Sequence, residues 1–135
     1  MGDWDELWLD VRDLTDLKTV MGSRIDLAHK YGCDGIEPDN IDCYDNRDCW
    51  STMKNPTVSS GKQVKPYNIK YSQWMATYAH SLGMVIGQKN ALGIVPDLVA
   101  SHDFGVNEEC ATYEECDSYI PYMNANKAVF AHEYR

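Results

Sequence analysis

At 135 residues, 44% apolar and 24% charged, the chain has the length of one domain, 1–135, and enough apolar side chains to bury a core. Its 21 acids against 12 bases leave a net charge of −9, which repels nucleic acid and anionic lipid and attracts cationic partners. No apolar run approaches the roughly 18 residues of a membrane span, and the acidic start MGDWDELWLD lacks the basic-then-apolar order of a secretory leader.

Short apolar runs alternate with helical spacing along the chain, the pattern of βα units and a parallel sheet. The first run is Leu7–Val11. Apolar positions at Leu14, Leu17, Val20, Met21, Ile25, Ala28 and Tyr31 then predict a helix, capped by Thr15 and stopped by Gly32. Cys33–Glu37 is the second run. Residues 38–68 follow, rich in Asp, Asn, Ser, Lys and Pro and without periodicity, as a long functional loop would be. Tyr71, Trp74, Met75, Tyr78 and Leu82 restore helical spacing, with Trp74 and Tyr78 on the core side, and Gly83 ends it. The remaining runs are Met84–Gly87, Phe104–Val106 and Ala128–Ala131, separated by helices over about Leu92–Ser101 and Tyr113–Asn124. The runs are continuously apolar, as strands covered on both faces are. The count is about five parallel strands with crossover helices: part of a (β/α)₈ barrel, or an open doubly wound sheet.

Five cysteines include two equally spaced pairs, Cys43 with Cys49 and Cys110 with Cys116. Their spacing is wider than zinc sites favour, so two local disulfides are expected, and with them an oxidising, extracellular setting. Cys33, in an apolar stretch, is expected to be a buried free thiol. The acids and amides from Asp39 to Asp48 lack the alternate spacing, turn glycine and closing Glu of a calcium loop. No metal or organic cofactor is implied.

In parallel α/β folds, functional groups gather where strands end. On that reading one rim collects Asp10, Arg12 and Asp13; Asp34, Glu37, Asp39, Asn40 and Asp42; Lys89 and Asn90; Asn107, Glu108 and Glu109; and His132 with Glu133. A rim with several carboxylates suits glycoside hydrolysis. That reaction needs one carboxyl to protonate the leaving oxygen and a second to attack the anomeric carbon or activate water.

Five segments, in order, resemble one family. Gly32-Cys33-Asp34-Gly35-Ile36-Glu37-Pro38-Asp39-Asn40-Ile41-Asp42 is similar to the GCDGVEPDNVDGY signature of glycoside-hydrolase family 114, the endo-α-1,4-polygalactosaminidases. Leu7–Arg12, Ile86–Ala91, Phe104–Cys110 and Ala128–Tyr134 resemble the family's WLDIR, IGLKNA, VNEQC and AVFHVEY strands. The match spans the chain and corresponds to roughly strands 3 to 7 of a barrel. It implies a secreted glycoside hydrolase that cuts α-1,4-linked, galactosamine-rich polysaccharide (galactosaminogalactan) with two carboxylates, Asp39 as nucleophile and Glu108 as acid/base. Asp10, Glu37, Asn40, Lys89, Asn107 and Glu133 would form the substrate-binding shell. Cationic amino sugars would meet an acidic cleft. The chain departs from the family where Cys43 replaces a glycine and through the loop from about residue 44 to 68, which bears on substrate range. The alternative from a different class is an inactive or truncated carbohydrate-binding remnant of such a barrel.

Overall fold

The structure, a computed structural model, describes residues 7–54 and 56–134; residues 1–6, Asn55 and Arg135 of the expected 1–135 domain lie outside them. Helix α1 (Leu14–Lys30) begins two residues earlier than a cap at Thr15 would start it. Asp13 is the cap, its carboxylate accepting from the Thr15 amide at 2.9 Å, where its charge also meets the positive end of the helix. Leu17, Gly22 and Ile25 form the buried stripe. The helix ends at a left-handed Gly32 (φ +81°), and the Cys33 amide bonds back to Ala28 O at 3.1 Å. That turn delivers the chain to strand β1 (Gly35–Ile36) and leaves Cys33 exposed, not buried as expected.

The long loop is more structured than its composition suggests. Within it lie a short helix α2 (Arg47–Trp50), capped by Asn46, and a 3₁₀ turn over Gly61–Gln63. Gly61 is required there, because a Cβ would stand 1.6 Å from the Tyr44 carbonyl oxygen. Helix α3 (Lys65–Ser81) follows, with Pro66 tolerated in its first turn. Its buried Asn68 accepts from the Tyr44 amide (3.2 Å) and donates to Ile41 O (3.0 Å), which staples the loop after β1 to the helix. Trp50 packs against the core beside Gly61, while Trp74 and Tyr78 lie partly buried against the same core.

Strand β2 (Val85–Lys89), a short helix α4 (Val95–Leu98), strand β3 (Phe104–Glu108), helix α5 (Ile120–Asn124) and strand β4 (Val129–His132) complete the order. The helix expected over Tyr113–Asn124 shortens to α5 after a 3₁₀ turn at Cys116–Tyr119, because Glu114 adopts φ +55° and Pro121 sets a new start. The sheet has the order β1-β2-β3-β4 with every pair parallel. A doubly wound sheet reverses its strand order at a switch point; this one does not, and strands in unbroken sequence are how a barrel wall is built.

The strand expected at Leu7–Val11 is not part of the sheet, so four strands are found among the described residues where about five were expected. The local cause is a turn. The Asp10 carboxylate accepts from the Arg12 amide (3.1 Å) and the Arg12 guanidinium, and this bends the backbone out of an extended path. Trp8 and Val11 still pack onto the core, whereas Leu7 is exposed.

Register and alternation sort the side chains. Gly87 pairs with Phe104, Lys89 with Val106 and Glu108 with His132. Phe104, Val106 and Glu108 therefore share one face, and Gly105 and Asn107 the other. Gly105 lies beneath the ring of Tyr119, which with Tyr122 and Val95 forms the smaller core on that second face.

Candidate active site

Every strand runs the same way, so the residues at their C-terminal ends meet on one rim. Lys89 ends β2, Glu108 ends β3, and Asp39 follows β1 by three positions. The Lys89 ammonium lies 3.1 Å from Asp39 Oδ2 and 3.0 Å from Glu108 Oε2. Two oxygens touching one nitrogen can be no more than about 6 Å apart, below the roughly 6.5–9.5 Å that carboxyls of an inverting glycosidase keep. Lys89 is 11% exposed, Glu108 30% and Asp39 57%, so the pair opens to solvent while the lysine beneath it does not.

Glu108 is held from several sides. Tyr134 OH donates to Oε1, and Lys89 and the Asn90 amide (3.2 Å) donate to Oε2. Asn90 Oδ1 also accepts the Glu108 backbone N–H at 2.9 Å. The hydrogen bond from Tyr134, then that from Lys89, holds the Glu108 carboxyl below the usual glutamate range. For Lys89, burial works against the ammonium, but the bonds to Glu108 and Asp39 outweigh it and raise its pKa. Asp42 behaves in the opposite way: burial, then the nearby charges of Asp45 and Asp39, push its carboxyl upward.

The rim backbone is set in an unusual conformation. Asn40, Asn90, Ala91 and Glu109, each just beyond a strand, have φ between +47° and +61°. Left-handed residues other than glycine cost on the order of 1–2 kcal/mol each and gather at functional sites.

Two cavities flank the acid pair. One, of about 540 Å³, is lined by Asp39 with Glu37, Asn40, Trp8, Leu9 and Tyr71 among others. The other, of about 430 Å³, is lined by Glu108 with Asp42, Asp45, Asn90, Glu109 and Glu115, and no lysine or arginine lines it among the described residues. The disulfides Cys43–Cys49 and Cys110–Cys116 form as the spacing predicts, each clasping a loop that leaves this rim.

The expected site residues divide accordingly. Asp39, Glu108 and Lys89 come together, with Glu37 and Asn40 along the first cavity. Asp10 instead grips Arg12 (2.6 Å), which holds its carboxyl below the aspartate range, and Arg12 in turn pins Lys54 O and Pro56 O. Asn107 is fully buried on the opposite face of the sheet, with no partner for its amide among the described residues. Glu133 accepts from the Ala111 amide at 3.0 Å and so braces the loop after β3. Sequence reasoning placed Asn90 and Asp42 on the rim without the contacts they make there, and gave no role to Tyr134. Tyr134 lay within the last of the five recognisable segments, but only the β3–β4 register brings it to Glu108.

The model of glycoside-hydrolase family GH114 matches residues 1–135. The chain belongs to this family. Among solved structures, Ega3 of Aspergillus fumigatus in complex with galactosamine is similar at 35% identity and a TM-score of 0.84. The similarity covers 99% of this chain and 49% of that one, so the chain spans about half the length of that relative. No curated protein matches it. The family 114 fold seen among the described residues is a partial barrel of four parallel strands with helices.

Proposed function

We propose that this family 114 chain carries the carboxylate pair of a secreted glycoside hydrolase cutting within α-1,4-linked, galactosamine-rich polysaccharide. The observation that carries the reading is the shared grip of Lys89 on Asp39 and Glu108, which keeps the two acids within about 6 Å, near the roughly 5–5.5 Å of retaining enzymes. In that mechanism Asp39 attacks the anomeric carbon as Glu108, in the protonated fraction that its lowered pKa leaves, gives its proton to the leaving oxygen, which departs with the electron pair of the broken bond. Water then returns a proton to Glu108 and displaces Asp39 from the sugar, restoring both groups.

A cavity on either side of the pair suits a chain cut internally, with sugars held both before and after the scissile bond. The acidic lining of the second cavity favours cationic amino sugars, and the solved relative is a galactosamine complex. Two disulfides fit an oxidising, extracellular compartment. No helix among the described residues is long and apolar enough to cross a membrane.

The test is a reducing-end assay on partially deacetylated galactosaminogalactan. Cleavage by the parent chain, with a loss of 10³-fold or about that in Asp39→Asn and in Glu108→Gln, is the expected result. Tight binding without cleavage would instead assign the carbohydrate-binding alternative.

A further inference from the structure

Tyr134 is a half-exposed residue two positions beyond β4, with 64% of its surface in solvent, so packing does not explain its placement. The register Glu108↔His132, reinforced by the Glu109 amide on His132 O, carries it to Glu108, where its hydroxyl meets Oε1. Oε2, the other oxygen, is occupied by Lys89 and Asn90. The two sets of partners differ in kind. An ammonium and an amide N–H can only donate, so Oε2 must stay an acceptor and a proton on Glu108 belongs on Oε1, facing Tyr134. A phenol both donates and accepts, and can therefore stay bonded to the carboxylate and to the protonated acid.

We propose that Tyr134 is the positioning residue that holds Glu108 in one place through both halves of its proton cycle. This rests on the two-carboxylate reading above. It explains why a residue outside the apolar core is aimed at a single oxygen, and it adds a member to the site that neither the strand-end pattern nor the family resemblance had assigned. Among the described residues, the other ionisable groups facing Glu108 are Lys89 from β2, Asp39 across that lysine, His132 across the β3–β4 pair, and Asp42, Asp45, Glu109, Tyr113 and Glu115 around its cavity.

The experiment compares the parent chain with Tyr134→Phe, which removes the hydroxyl and keeps the ring, and with Tyr31→Phe as a remote control. Two readouts are taken: a ¹³C titration of the Glu108 carboxyl, and the pH profile of polymer cleavage. In Tyr134→Phe the Glu108 titration moves to higher pH and the alkaline limb of kcat/KM moves with it. The same variant loses on the order of tenfold in kcat at nearly constant KM. Tyr31→Phe matches the parent in all of these. A folded Tyr134→Phe protein whose Glu108 titration is unchanged overturns the proposal, whatever its activity. Movement of the acidic limb instead would uphold Tyr134 and exchange the roles of Asp39 and Glu108. A titration that moves in a chain that cuts nothing would uphold Tyr134 and sink the hydrolase reading.

Discussion

Lys89→Met is the most direct probe of the site, because it removes the ammonium and keeps most of the stem. The two carboxylates it leaves behind stand at most about 6 Å apart, and unit charges at that separation repel by about 0.7 kcal/mol in bulk water and about 3 kcal/mol at an effective dielectric of 20. Asp39 is more than half exposed, so solvent screening places the effect toward the lower figure, on the order of 1 kcal/mol. The sign follows from linkage. In the parent, Glu108 titrates below its ordinary value, so it contributes stability that is present above that value and is lost as pH falls through the lowered one. Without Lys89 that contribution shrinks or reverses. Urea unfolding should therefore find the variant less stable than the parent near pH 7, with the gap closing once Glu108 is protonated in both. Taking the difference between the two proteins at each pH cancels the titration of other groups. A deficit of equal size at both ends of the range would refute the reasoning, since it would mean that Lys89 acts through packing of its stem and not through its charge.

Two further outcomes can be checked by unfolding alone. Replacing both Cys43 and Cys49 by Ala opens a short loop and should cost about 2 kcal/mol, read as a lower urea midpoint than the oxidised parent, and reductant should then lower the variant's midpoint by less than the parent's because only Cys110–Cys116 is left to open. Burial holds His102 neutral, with its pKa pushed down to about 4. The unfolded chain therefore takes up a proton there first, and stability should fall as pH drops from about 6.5 toward 4, by on the order of 3 kcal/mol, a slope that His102→Gln should remove.

The fold was legible where one physical signal dominated. Helices α1 and α3 carry long apolar periodicity; α1 was readable to within a residue or two apart from the cap at Asp13, while α3 starts at Lys65, inside the stretch 38–68 read as loop. Strands β2, β3 and β4 stood out as continuous apolar runs. Leu7–Val11 has the same composition, but a side chain to backbone bond from Asp10 overrides it, and propensity carries no trace of that competition. Loop structure at Arg47–Trp50 depends on Asn46, Asn68 and a disulfide acting together across distant positions. Strand ends and the family resemblance both named Asp39, Lys89 and Glu108, and these three meet in one ion-paired cluster at the rim. The contacts around that cluster were not legible, because register and competing partners choose them. Asp10 has Arg12, Glu133 has the Ala111 amide, and Tyr134 reaches a strand that is not its own.

The alternation along β3 has a consequence for how this protein can change. Its acidic group and its hidden amide are adjacent in the chain yet sit on opposite sides of the wall. Dropping or adding a single residue between Gly105 and Glu108 would swing the carboxyl under Tyr119 and present the asparagine to the cleft, with no alteration in composition. Loops around the mouth can lengthen freely and retune what is bound; the staves that carry the acids must keep an even or odd count, and lineages should vary accordingly.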